Sequence, residues 1–426
     1  MSSHEAYGAM TTQTSNNQQR AAHLDGLRGC ASVMVLLGHL AMMVWPATLV
    51  AETYPAGTPD WQLTLAASPL SAIWDGRLAV SIFFVLSGYV LTAATISRPL
   101  SFPALACKRY LRLLLPVLAA TVPTLLLQPL GWYFNHDLAF VTGSTWLDTV
   151  TSTGFEPSLW HWLRNAVWMV FFVDGHTSYN ALLWTMRFEF LGSLLVFLLA
   201  GLVSRAGWRL AIAAALLVLV VHLPSYAILY LFLAGMMLHD LASLLKGRGD
   251  KASRLFREVA GWSLVALGLY LPRLVMVMIG GHGAGLAFLL WLRATLPAWQ
   301  GDRWMLAAAP LVAGVMLAPS LRHLLSRPFC RWLGRISFPL YLFHLPLIMS
   351  LGSWLMLTLL ARIDFAFAVW LTFIVTGVAA LLLAWLMTPL IETPSLRLAA
   401  RIGAIIDGYW SRLPAWCQLS AVRRIA

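Results

Sequence analysis

The stretch LDGLRGCASVMVLLGHL (residues 24–40) begins the first long apolar segment of the chain and places a histidine inside it. Arg28 lies near the start of this segment, and His39 follows 11 residues later. A helix rises 1.5 Å per residue, so about 16 Å separate the two residues. With Arg28 at the boundary of a hydrocarbon layer about 30 Å thick, His39 lies near the centre of that layer. An ionisable side chain at that depth marks a functional site by default. The alternative for His39 is a hydrogen bond that serves helix packing, and the midplane position disfavours it.

The composition indicates a membrane protein. Of the 426 residues, 60% are hydrophobic and 11% are charged, and the mean hydropathy is +0.75. One soluble core could not bury that much apolar surface, so we expect a multi-pass integral membrane protein with the lipid bilayer as its partner. The 29 Lys and Arg outnumber the 17 Asp and Glu, but they form short clusters between apolar segments, as the positive-inside rule predicts, and nucleic acid is not expected. The four cysteines are scattered, so no metal site is predicted.

Ten segments are long and apolar enough to cross a bilayer, which needs about 20 residues. They lie near residues 30–49, 79–97, 110–130, 181–203, 208–223, 225–243, 258–276, 304–320, 336–358 and 366–388. With both termini in the cytosol, all six basic clusters fall on the cytosolic side. The predicted fold class is therefore all-α, a polytopic bundle of about ten transmembrane helices.

The same pattern predicts the domain limits. Residues 1–22 are polar and are expected to form a disordered cytosolic tail, residues 23–395 the transmembrane domain, and residues 396–426 a cytosolic C-terminal tail. The first apolar segment is interpreted as a retained helix, with a signal anchor as the alternative. Residues 277–300 are apolar, but a full span there would break the charge pattern, so a re-entrant or interfacial piece is favoured.

Two motifs in the next helices carry small or basic residues. In SIFFVLSGYVLT (residues 81–92), the Ser87-Gly88 pair favours close packing and would bring the second helix against the first near His39. In CKRYLRLLLP (residues 107–116), Arg109 and Arg112 are three residues apart and share a helix face. Their guanidinium groups are equally suited to lipid headgroups and to the phosphates of a cytosolic ligand.

Two further ionisable residues lie within apolar segments. Glu189 is about 12 Å deep in LLWTMRFEFLGSLLVF (residues 182–197), and a carboxylate there needs a partner or a proton. Arg187 is two positions away and points elsewhere. His344 lies in GRISFPLYLFHLPLIM (residues 334–349) at a similar depth. Two histidines and one carboxylate are thus expected to converge within the bundle.

These motifs together resemble the acyltransferase-3 family of integral-membrane acyltransferases. The resemblance rests on LDGLRG with its following histidine, FFVLSGYVLT, RxxRxxxP, LWTMRFEF, GRISFPLYLFHLP and IETP (391–394), in that order along the chain. The family uses cytosolic acyl-CoA to modify exported glycans, lipids and antibiotics. The resemblance implies that His39 is catalytic, that Arg28, Arg109 and Arg112 hold coenzyme A, and that Trp184 and Glu189 match the family's tryptophan-to-glutamate motif.

The resulting functional prediction is an O-acyltransferase that moves an acyl group, acetyl before others, from acyl-CoA to a hydroxyl of a carbohydrate, lipid or secondary metabolite. His39 would act as general base, since a hydroxyl attacks a thioester poorly until it loses its proton. Glu189 would serve the acceptor end or orient His39, and Ser87, Trp184 and His344 would bind substrate. No metal is required. Direct transfer and an acyl-histidine intermediate are both open, and the alternative function is a proton-coupled secondary transporter.

Overall fold

The chain is helical in every regular element that the computed structural model describes, which confirms the all-α fold class. The structure describes residues 3–49, 58–98, 100–151, 155–173, 178–245, 253–280 and 304–413. The main helices are α1 (Ser3–Val44), α2 (Asp60–Ala67), α3 (Gly76–Ser97), α4 (Phe102–Leu127), α5 (Asn135–Thr142), α6 (Thr145–Thr149), α7 (Leu159–Arg164), α8 (Val170–Phe172), α9 (Trp184–Leu202), α10 (Ala206–Val220), α11 (Tyr230–Leu244), α12 (Arg254–Gly280), α13 (Trp304–Leu317), α14 (Pro319–Leu325), α15 (Pro328–Leu347), α16 (Ser353–Leu360), α17 (Phe365–Met387) and α18 (Thr393–Trp410).

Each of the ten predicted segments coincides with a helix, because a long apolar run can satisfy its backbone in a membrane only by closing its own hydrogen bonds. Among the described residues, seven helices are long and apolar enough to cross a bilayer. An eighth arises if α13 and α14, which meet at a bend of 93°, count as one span. The protein is therefore a multi-pass integral membrane protein, and the count of ten and the position of the termini stay predictions.

The first helix starts earlier than its apolar pattern. α1 begins at Ser3, so the backbone of residues 3–22, for which we predicted disorder, is helical here. Extending an existing helix costs far less than nucleating a new one, so a polar segment can continue a helix whose other half is buried. The predicted re-entrant piece, residues 277–300, lies almost entirely outside the described residues.

The closest helix pair in the centre of the bundle is α1 with α15. A Cβ atom on Gly29 would lie 2.5 Å from the backbone nitrogen of Gly334, so only glycine permits this approach. His39 and His344 follow ten residues after these two glycines and also meet. Equal spacing between two contacts means that the helices run parallel. The glycine contact thereby sets the register that brings the two histidines together about 15 Å further on.

The second long helix, α3, packs beside α1, but not as the Ser87-Gly88 pair predicted. A Cβ atom on Gly88 would lie 2.2 Å from the carbonyl oxygen of Phe232, so this glycine fits against α11. The expectation that the pair brings α3 against α1 near His39 is wrong. The sequence shows that small residues permit a close contact, but the rotation of the helix about its axis decides which neighbour makes it.

Candidate active site

The two predicted histidines form a hydrogen-bonded pair. Nδ1 of His39 lies 2.8 Å from Nε2 of His344, and Nδ1 of His344 lies 2.8 Å from the carbonyl oxygen of Leu340. The His344 side chain is fully buried, whereas His39 is partly exposed. This confirms the predicted convergence of the two histidines, which come from helices 305 positions apart in sequence.

The contacts of this pair fix the tautomer of both neutral rings. A carbonyl oxygen only accepts, so Nδ1 of His344 carries the proton and donates it to Leu340. Nε2 of His344 is then an acceptor, and Nδ1 of His39 must be the donor to it. Nε2 of His39 consequently carries a lone pair, and no described residue makes a hydrogen bond to it. The pair therefore presents one basic nitrogen.

A cavity of about 310 Å³, here called the histidine cavity, lies beside His39. Its walls include Trp146, Trp184 and Tyr341. The Trp146 ring is nearly parallel to that of His39, with centroids 5.2 Å apart. His39 lies five residues before the end of α1, about 8 Å from it, and so nearer the helix end than the predicted midplane.

The third predicted residue, Glu189, lies elsewhere. Its carboxylate forms an ion pair with the Arg109 guanidinium and accepts a hydrogen bond from the Ser87 hydroxyl at 3.0 Å. Arg109 is 8% exposed and Glu189 13%. α4 begins at Phe102, so Arg109 is about 10 Å from the start of the helix, and its guanidinium group is buried among the helices. A buried guanidinium needs a counter-charge, and Glu189 supplies it.

The positions of two residues differ from those expected. Glu189 was expected to serve the acceptor end or to orient His39; it pairs with Arg109, and His344 is the residue that is hydrogen-bonded to His39. His344 was expected to bind substrate, but it is fully buried behind His39 with both ring nitrogens occupied. We had expected His39, His344 and Glu189 to form one cluster because they lie at a similar depth, and that assumption failed. α9 carries Trp184 at the histidine cavity, and five residues, about 8 Å, separate it from Glu189.

Two smaller cavities continue inward from the histidine cavity. The middle cavity, of about 50 Å³, shares Val80 and Tyr341 with the histidine cavity. The arginine cavity, of about 70 Å³, shares Arg28, Ser87 and Glu189 with the middle cavity. Because neighbours share walls, the three form a row through the bundle from the arginine cluster to His39.

The arginine cavity is lined by three arginines and one carboxylate. Arg28, Arg109 and Arg112 all line it, and Glu189 forms its close ion pair with Arg109. Neither Arg28 nor Arg112 makes a hydrogen bond or a close ion pair with a described residue, although carboxylates act on both at longer range. Guanidinium groups without close partners can bind an anion that carries several charges.

Sequence reasoning found the basic residues, the histidines and Trp184, but missed the aromatic residues Tyr341 and Trp146. Tyr341, whose hydroxyl donates to the Leu182 carbonyl at 3.0 Å, separates the middle and histidine cavities. Trp146 lies in the short helix α6, which no apolar segment predicts. Of the residues predicted to bind substrate, Trp184 lines the histidine cavity and Ser87 the two inner ones. In the described residues no group of His, Cys, Asp or Glu could hold a metal ion.

Comparison with known proteins gives two matches. A family model described as an acyltransferase domain, of the acyltransferase-3 type, matches residues 22–389. The O-acetyltransferase PaAT-1 of Phomopsis amygdali is 28% identical over 374 residues, which covers 77% of this chain and 72% of that protein. No solved structure matches the chain.

Proposed function

Because the chain belongs to the acyltransferase-3 family and is a membrane O-acyltransferase, we propose that it takes the acyl group, acetyl before others, from cytosolic acyl-CoA bound at the arginine cavity. The acceptor hydroxyl enters the histidine cavity, and the acyl group meets it beside His39. The observation that carries this proposal is the row of three cavities between the arginines and His39.

The donor end is supported by the charge of the arginine cavity. Acyl-CoA carries its phosphate groups at the nucleotide end, from which a long, thin arm leads to the thioester. Arg28 and Arg112 would fork onto phosphates, and Glu189 would keep Arg109 in a fixed orientation at the same wall. The narrow middle cavity suits the arm of the molecule and excludes its nucleotide. In this arrangement the arginine end faces the cytosol, in agreement with the orientation predicted from the basic clusters.

The acceptor end is supported by the tautomer of His39. Its Nε2 would take the proton from the acceptor hydroxyl, the oxygen would attack the thioester carbonyl carbon, and the coenzyme A thiolate would leave. His344 would hold the ring and accept the Nδ1 proton in a hydrogen bond that strengthens as His39 becomes positively charged. Direct transfer to the acceptor and an acyl-histidine intermediate both use the same nitrogen.

The test of this function is binding and transfer with the full chain in lipid nanodiscs. Acetyl-CoA and CoA should both bind by calorimetry, with salt-dependent affinity, and labelled acetyl from acetyl-CoA should appear on an extract of membrane lipids and metabolites. A protein that binds neither compound would overturn the proposal. Uptake of a solute into sealed vesicles without CoA binding would favour the transporter instead.

A first prediction concerns the arginine cavity. Arg28→Ala and Arg112→Ala should each raise the KM for acyl-CoA about tenfold or more and leave kcat near wild type, because phosphate contacts are the same in the ground state and the transition state. Steady-state kinetics with varied acyl-CoA measure both constants. Arg254→Ala, at an exposed arginine on α12, is the matched control. If both cavity variants keep the wild-type KM for acyl-CoA, Arg28 and Arg112 do not bind the donor.

A second prediction concerns His344. His344→Leu should lower kcat by about 5- to 100-fold, because the Nδ1 proton of His39 then lacks a partner and the productive tautomer is no longer fixed. His344→Gln keeps an acceptor and should recover part of this loss. KM for acyl-CoA should not change in either variant, since His344 lines none of the three cavities. Equal kcat values for the Leu and Gln variants would reduce His344 to a packing role.

A further inference from the structure

The histidine cavity is mostly apolar. Its aliphatic walls come from Val35, Met42, Leu49 and Leu182, and two tryptophans, Trp146 and Trp184, complete them. Trp184 is 41% exposed, so its ring is available to a ligand. A wall of this kind gains free energy by burying rings and alkyl groups.

The side chains with oxygen or guanidinium groups that line this cavity all have partners within the protein. The Tyr341 hydroxyl donates to the Leu182 carbonyl at 3.0 Å and lies 3.0 Å from the Thr185 hydroxyl. The Asp75 carboxylate caps α3 by accepting from the backbone nitrogens of Arg77 and Leu78 at 2.8 and 2.9 Å. Arg77 is exposed and has a partner within the protein as well. Among the described lining side chains, Nε2 of His39 is therefore the acceptor left for a buried hydroxyl, and the indole N–H groups of Trp146 and Trp184 can only donate.

This arrangement separates two kinds of acceptor. A sugar ring in the cavity would bury several hydroxyls, each with a proton that needs an acceptor, and His39 offers an acceptor to one of them. Each further buried hydroxyl without a partner weakens binding by about 5- to 100-fold. An alcohol with an apolar ring or chain loses nothing in this way, because its single hydroxyl meets His39 and the remainder contacts the aliphatic and tryptophan walls.

The exposed residues at and near the histidine cavity point to the same class of ligand. Trp184 and the exposed Arg77 line the cavity, an aromatic and basic combination that is typical of the membrane interface. Leu70 and Ile73, on the turn that leads to Asp75, are 56% and 53% exposed. An apolar alcohol that partitions into the membrane would be concentrated near such a surface.

We propose that the acceptor of this enzyme is an alcohol whose body is apolar, held between Trp184 and the aliphatic wall of the histidine cavity, with its one reacting hydroxyl at Nε2 of His39. The proposal rests on the function proposed above and names the acceptor class. The reaction balances without a co-reactant, because the acceptor proton goes to His39 and then to the coenzyme A thiolate, and the ester bond forms as the thioester bond breaks.

The experiment compares acceptors with the full chain in nanodiscs and labelled acetyl-CoA. Decahydro-2-naphthol, a bicyclic alcohol, should be acetylated with at least about tenfold higher kcat/KM than methyl glucoside. Hexadecanol placed in the nanodisc lipids distinguishes a membrane-dissolved acceptor from one supplied by the solution. Preference for the glucoside, or no acetylation of any of these alcohols by protein that binds acetyl-CoA, overturns this inference. Failure to bind acetyl-CoA removes the proposed function instead.

Variants at the aromatic wall test the location. Trp184→Ala should raise the KM for decahydro-2-naphthol about tenfold and leave acetyl-CoA affinity unchanged, and Trp184→Phe should recover most of the loss. Trp208→Ala, at a tryptophan on α10 that is 63% exposed, should change neither. An unchanged KM for decahydro-2-naphthol in Trp184→Ala protein that folds normally would place the acceptor elsewhere.

Discussion

Replacing His39 with alanine should lower the rate of acyl transfer by about 10²–10⁴-fold, the usual contribution of a general base. The variant loses the one nitrogen that the histidine pair presents to the histidine cavity, while the arginine cavity stays intact. Affinity for acetyl-CoA should therefore stay near the wild-type value. The two measurements are labelled-acetyl transfer and calorimetric acetyl-CoA binding, both in nanodiscs.

The control for this variant is His222→Ala, at an exposed histidine just after α10. It should transfer acetyl at the wild-type rate. If His39→Ala retains more than about a tenth of wild-type turnover, the general base is another group, because the loss would be far below the usual range. If His39→Ala also loses acetyl-CoA binding, the histidine contributes to the donor site and the separation of the two ends is wrong.

The second large effect is expected at the buried ion pair. Arg109→Met or Glu189→Met alone should destabilise the protein by about 3–5 kcal/mol, because each leaves one buried charge without its partner. The double variant should recover most of that stability, since two apolar side chains replace two charges. Thermal unfolding in detergent ranks the four proteins. The double variant should still bind acyl-CoA more weakly than wild type, because Arg109 lines the arginine cavity.

A second ion pair serves as the matched control for this cycle. Arg209 and Asp240 join α10 to α11 at 2.7 Å, and both are at least as buried as Arg109 and Glu189. Arg209→Met should destabilise the protein to a similar degree without changing the affinity for acyl-CoA. If the double variant at Arg109 and Glu189 is no more stable than the single variants, the two charges do not depend on one another.

The positions of the helices and of the two histidines could be predicted because they depend on quantities that are local in sequence. Hydropathy over about 20 residues decides which segments cross a membrane, and the fixed rise of a helix decides how deep a residue lies. His39 and His344 were therefore expected at a similar depth. Their actual contact also required the approach of Gly29 to Gly334, which no single segment reveals.

The partner of Glu189 could not be predicted from the pattern of either segment alone. The apolar pattern starts the third span at residue 110, whereas the helix starts at Phe102 and includes Arg109. The direction in which Glu189 points depends on the rotation of α9 against α3 and α4. Helix rotation is set by packing between segments distant in sequence, and so are the aromatic walls from Trp146 and Tyr341.

The pairing of His39 with His344 also has a consequence for how the protein is made. The two residues are 305 positions apart, so the first helix leaves the ribosome long before the helix that will hold its histidine has been synthesised. Until α15 inserts beside α1, the imidazole of His39 has neither its fixed tautomer nor its partner. A growing chain that already contains the whole arginine cavity apart from Phe338 would therefore lack an oriented base. The oriented base is thus completed only when α15 has been synthesised and has inserted beside α1.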